Sequence, residues 1–111
     1  MQERASPRYN TLCHARIAGV LEGDVKLKNL SITGCCLECK TFDSIKPHEK
    51  YKIDIEPERT AGVDEFELEV ECRWIRKGVC FCEVGFQIVA SPKGKRFQSY
   101  VDYLDYHSTL A

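Results

Sequence analysis

Phe66-Glu67-Leu68-Glu69-Val70-Glu71-Cys72-Arg73-Trp74 is the stretch that decides the fold class. Apolar side chains occupy every second position and charged ones the positions between, a period of two that suits a half-buried strand and no helix. The pattern extends in both directions. Tyr51, Ile53 and Ile55 alternate with Lys52, Asp54 and Glu56, and Cys80, Cys82, Val84, Phe86 and Ile88 form another row expected to point inward. Lys77-Gly78 and residues 59–63 fit the turns of hairpins between them. Upstream, residues 11–17 read as a strand, Glu22-Gly23-Asp24 as a turn, and residues 25–31 as a strand with Val25 and Leu27 set against Lys26 and Lys28. Short strands at this spacing predict an antiparallel sheet, closed or sandwiched.

After Ser91-Pro92 the period changes. Phe97, Tyr100, Val101 and Leu104 follow the i, i+3, i+4, i+7 rule of one helix face, so the chain ends in a helix. Lys93, Lys95 and Arg96 oppose the dipole at its start unless carboxylates or an anion share the site. Tyr103, Tyr106 and Leu110 form a second apolar line, read as further core, with partner docking as the alternative. The organisation expected is a flexible arm over residues 1–9, a barrel over 10–90 and the helix over 91–111.

At 111 residues the chain holds one domain with one modest core. A net charge of -1 excludes the global basic field of a non-specific nucleic-acid binder. Charge is uneven, however: residues 1–52 hold nine Lys/Arg against six Asp/Glu, and residues 53–90 hold four against nine. A local basic end suits a small anion better than a long polyanion. Seven cysteines with no apolar leader after Met1 indicate a reducing cytoplasm, and no apolar run is long enough to insert in a membrane.

Catalytic and metal chemistry find little support. Cys13 and His14 are adjacent and diverge on a strand, His48 and His107 fall in a loop and near the end, and neither GxSxG nor HExxH occurs. Cys35, Cys36, Cys39, Cys80 and Cys82 invite a zinc or thiol reading. Yet Cys36 and Cys39, three apart on a strand, point to opposite faces, and no histidine pair completes a tetrahedral set. The cysteines read as small buried hydrophobes, and no catalytic, metal or cofactor residue is assigned.

Two short pieces carry ligand chemistry. Arg4-Ala-Ser-Pro-Arg8 places two guanidinium forks close enough to converge on one dianion, with Pro7 stiffening the approach. Such a fork matches the O6 and N7 acceptors of guanine. In Asn29-Leu-Ser31-Ile-Thr-Gly34, Asn29 and Ser31 are two apart and are expected to share the core face of Val25 and Leu27. There, where a barrel opens, they would offer an amide and a hydroxyl, and Gly34 would allow close backbone approach.

This pairing resembles the signature of the PilZ domain, RxxxR followed by (Asp/Asn)xSxxG. Cys72-Arg-Trp74-Ile-Arg-Lys-Gly78 and Glu83-Val-Gly85-Phe86 resemble the strands that come later in that family. The resemblance implies a six-stranded antiparallel β-barrel with a C-terminal helix, in a bacterial cytoplasmic receptor or adaptor that performs no chemistry. It implies cyclic di-GMP as ligand, held by Arg4, Arg8, Asn29, Ser31 and Gly34, with a change of conformation that signals to a protein partner. Trp74 reads as core by parity, although a residue there can lie beside the bound guanine. Glu3, where an extra arginine accompanies two intercalated ligands in the family, favours one ligand per site. A ligand-independent PilZ-like interaction module is the alternative.

Overall fold

The alternating stretch becomes β6 (Phe66–Lys77), the longest strand of the molecule. A computed structural model describes residues 7–21, 25–40, 45–90 and 95–108. Before β6 come β1 (Tyr9–Asn10), β2 (His14–Arg16), β3 (Lys26–Leu30), β4 (Gly34–Cys39) and β5 (Lys50–Glu56). After it come β7 (Cys82–Ala90) and the helix α1 (Arg96–Ser108). All pairings are antiparallel. Six strands run in the order β3-β2-β5-β6-β7-β4, and pairing of β4 back onto β3 closes the barrel. Closure removes the open edges at which sheets otherwise aggregate.

The seventh strand, β1, is a short extension of the N-terminal path. Tyr9 pairs with Leu30 and Asn10 with Asn29, so Tyr9 already belongs to the sheet. Between β1 and β2 the path stays bonded to β3, with the Thr11 N–H donating to the Lys28 carbonyl at 3.3 Å and the Leu27 N–H to the Cys13 carbonyl at 3.1 Å, and the Thr11 hydroxyl bonds the Leu27 carbonyl as well. His14 then stands opposite Lys26.

Inward side chains fill the barrel. Leu27, Leu30, Leu37, Ile53, Ile55, Leu68, Val70 and Val84 are fully buried, each contributing roughly 1.5–3 kcal/mol of transfer free energy. The row expected to begin at Cys80 begins at Cys82. Cys80 is exposed in the turn after β6, where the Gly78 N–H donates to the Phe81 carbonyl at 2.9 Å. That turn needs residues 78–81 to itself, so the strand starts later.

The helix lies on the barrel through its expected face, with Phe97, Tyr100, Val101 and Leu104 buried. Phe66 packs its ring 5.8 Å from Phe97 and 6.0 Å from Tyr100. The buried Tyr100 hydroxyl donates to Glu58 Oε1 at 2.6 Å, which satisfies a group that would be costly unpaired. Arg96, at the unfavourable helix start, donates to the Glu65 carbonyl at 2.9 Å and lies 3.6 Å from the Asp64 carboxylate. The second apolar line is only partly core. Tyr103 bonds Thr60 at 2.9 Å, Tyr106 is exposed, and Leu110 lies outside the described residues.

Candidate functional site

Two bulges set the site. Along β3, Leu27 faces Leu37 on β4, but Asn29 faces Cys36, so one extra residue enters between them. A bulge reverses which residues face the core. Leu30 therefore enters the core, and Asn29, expected to continue the face of Val25 and Leu27, points outward. On the outer face its Oδ1 accepts a hydrogen bond from Arg8 Nη1 at 3.1 Å.

Ser31 does not share Asn29's position. It is 1% exposed, and its hydroxyl accepts from the Thr33 N–H at 3.2 Å and the Gly34 N–H at 3.1 Å. The Ser31 N–H in turn donates to the Gly34 carbonyl at 2.9 Å. The expected presentation of a free hydroxyl is thus corrected: Ser31 ties the turn that delivers Gly34 to the start of β4. A Cβ on Gly34 would stand 2.7 Å from the Phe86 carbonyl and 3.5 Å from Arg8 Nη2. Arg8 lies low over the strand at the point where no side chain intervenes.

The second bulge lies between Cys72 and Trp74, since Cys72 faces Phe86 and Trp74 faces Gly85. It overturns the core reading of Trp74, which is 41% exposed on the outer face. The indole rests on Gly85, where a Cβ would overlap the ring. The Arg76 guanidinium sits 5.2 Å from the ring centroid, within cation–π range.

Arg8 and Trp74 stand together between two shallow depressions. One, of about 250 Å³, is bounded further by Thr33, Gly34, Arg73 and Gln87. The other, of about 300 Å³, is bounded further by Lys28, Asn29, Arg76 and Glu83, with Cys36 in its floor. Three cations, Lys28, Arg73 and Arg76, thus surround the pair, against the carboxylates of Glu83 and, paired to Arg73 at 3.2 Å, Glu71. A depression of about 260 Å³ elsewhere, among His14, Arg16, Asp54, Glu56 and Glu65, has the wrong sign for an anion. Hydrogen bonding to Glu83 raises the Lys28 pKa, so this ammonium stays charged. Burial first, then the Glu83 charge, raises that of the Cys36 thiol, which stays neutral. Arg4 and Glu3 lie outside the described residues.

The PilZ domain profile matches residues 2–103. The chain belongs to the PilZ domain family. No curated protein sequence matches it significantly. Among solved structures, it is similar to the Bacillus subtilis inhibitor of motility MotI/DgrA, with a TM-score of 0.77 and 17% identity. The match covers 99% of this chain and 53% of that one, so the chain spans about half the length of that protein. PilZ domains are binding and adaptor modules rather than an enzyme family. Among the described residues of this PilZ domain, no group of three His, Cys, Asp or Glu side chains could hold a metal ion. No described helix is long and apolar enough to cross a membrane.

The signature residues thus divide. Arg8, Asn29 and Gly34 meet on the outer face with Trp74 beside them, and Ser31 supports them from within. Lys28, Arg73, Arg76, Glu83 and Gln87 also bound the two depressions, and the sequence reading named none of them as candidates. One signal was present for Glu83, a carboxylate between Cys82 and Val84 in an otherwise apolar run.

Proposed function

We propose that this PilZ domain is a cytoplasmic receptor for cyclic di-GMP that changes conformation on binding and signals to a protein partner, without chemistry on the ligand. The observation that carries the reading is Arg8, bonded to Asn29 directly over the bare backbone of Gly34 and beside the exposed Trp74 ring. A guanidinium offers paired donors to a guanine edge or a phosphate. An indole offers a face on which a base can stack, and the surrounding cations suit the two phosphodiesters.

Arg4, four residues before Arg8, supplies the second fork, and the arm that precedes Arg8 and β1 closes over the ligand as both arginines engage. Ser31 acts by holding Gly34 in place. The role of MotI/DgrA as an inhibitor of motility makes the motility apparatus one class of partner to test. The exposed Val79 and Phe81 of the β6–β7 turn favour a second reading, a ligand-independent interaction module docking through that turn.

Calorimetry with cyclic di-GMP beside GTP, cyclic GMP and cyclic di-AMP tests the receptor. We expect binding of the first alone. Each bidentate arginine contact discriminates by roughly 1–3 kcal/mol, so Arg4→Ala and Arg8→Ala should each weaken it at least tenfold, by about 1.4 kcal/mol or more. Silence toward all four nucleotides would favour the interaction module.

A further inference from the structure

We propose that Glu83 is the selectivity residue of this site: a buried carboxylate that holds Lys28 and Arg76 in position and excludes nucleotides bearing a terminal phosphate. This rests on the cyclic di-GMP reading above.

The geometry is a row of charges laid across four strands. Glu83 on β7 faces Arg76 on β6 and Glu38 on β4. From β3, beyond β4, Lys28 reaches over to bond Glu83 Oε2. Arg76 Nη1 lies 3.4 Å from Oε1. The Glu83 side chain is only 8% exposed, whereas those of Lys28 and Arg76 are 46% and 71% exposed. One buried anion therefore anchors two cations whose flanks remain open to the depression that Glu83 itself bounds. Carboxylate oxygens have lone pairs to spare beyond these two contacts, but they have no proton to offer a phosphate.

Charge sets the selectivity. Arg8, Lys28 and Arg76 against Glu83 leave about two positive charges around the depression, a match for two phosphodiesters. The ring-opened dinucleotide carries a phosphomonoester instead of one diester link, which adds roughly one negative charge at neutral pH. That extra charge finds Lys28 and Arg76 already engaged, with Glu83 and the half-buried Glu38 behind them. Like charges several ångströms apart, in a medium between protein and water, weaken binding by about tenfold. A neutral residue at position 83 would free both cations and strengthen binding of any polyphosphate. Glu83 gives up that general affinity in exchange for discrimination.

The test is calorimetry of the wild-type chain and Glu83→Gln against cyclic di-GMP and its linear form, 5′-phosphoguanylyl-guanosine. The wild type should prefer the cyclic form at least tenfold. Glu83→Gln should tighten binding of the linear form about tenfold and of the cyclic form less than threefold, so that the ratio collapses. A wild type that binds both forms equally overturns the proposal whether or not the variant folds. So does a folded Glu83→Gln protein whose ratio stays within twofold of the wild type. A wild type that binds neither form overturns the receptor reading along with it.

Discussion

At the scale of single residues, Gly34 and Ser31 form one device. The group that a Cβ on Gly34 would meet is the Phe86 carbonyl, which is backbone and cannot rotate away. Gly34→Ala should therefore cost about 1–3 kcal/mol of stability by overpacking, visible as a lowered thermal midpoint. Ser31→Ala removes the acceptor of two N–H groups, and a buried donor left unmet costs roughly 1–3 kcal/mol. We expect Ser31→Ala to lower stability and, through the misplaced turn, affinity. An unchanged midpoint would refute its buttressing role. The side-chain types at these positions were legible in the sequence. Their division of labour was not, because a hydroxyl looks the same in a one-letter code whether it meets a ligand or its own turn. Lys28 and Arg76 were not singled out in the sequence for a similar reason: their anchor is a carboxylate 55 residues from Lys28.

At the scale of elements, the strands and the helix followed from periodicity. β6 and α1 lie where the period of two and the i, i+3, i+4, i+7 rule put them, because burial on one face leaves a regular imprint. The bulges left no such imprint. One inserted residue after Leu27 and another after Cys72 reversed the parity of Asn29 and Trp74, and these moved the site from the barrel mouth to its outer wall. β1 lies between the face that carries Arg8 and the helix. Arg8, just before it, turns to Asn29, whereas Tyr9 turns the other way and donates from its hydroxyl to Asp105 Oδ1 at 2.9 Å. Tyr9→Phe should change global stability by less than about 1 kcal/mol, since the bond is exposed. It should nevertheless speed amide exchange in β1 and the last turns of α1. Unaltered exchange in both segments would show that the bond ties neither.

At the scale of the whole molecule, the interior sets a response to alkali. All seven cysteines are thiols, and only Cys80 is exposed. Burial raises the pKa values of Cys13, Cys36, Cys72 and Tyr100 and pushes that of Cys35 up to about 12. Each group is raised in the fold, so its contribution is fully present below its unfolded pKa. Above pH 9 the unfolded chain sheds protons that the folded one keeps, and stability falls with rising pH. For Cys35 the loss runs from 9.0 to about 12, at up to about 1.4 kcal/mol per unit. Denaturant titrations at pH 7, 9 and 10 should show midpoints falling slightly over the first interval and more over the second. A thiol reagent at pH 8 should modify one cysteine rapidly, Cys80, and the other six only as the chain unfolds. Rapid labelling of two or more would contradict the burial described.

Trp74 is the only tryptophan in the chain. It lies on Gly85, under Arg76, on the ridge that both depressions share. All indole emission from this protein therefore originates at the proposed binding surface, with no second fluorophore of that kind to dilute it. A purine stacking there, or a guanidinium lifting away, alters the intensity of the whole signal. The protein is its own optical gauge of occupancy, readable in dilute solution without a label.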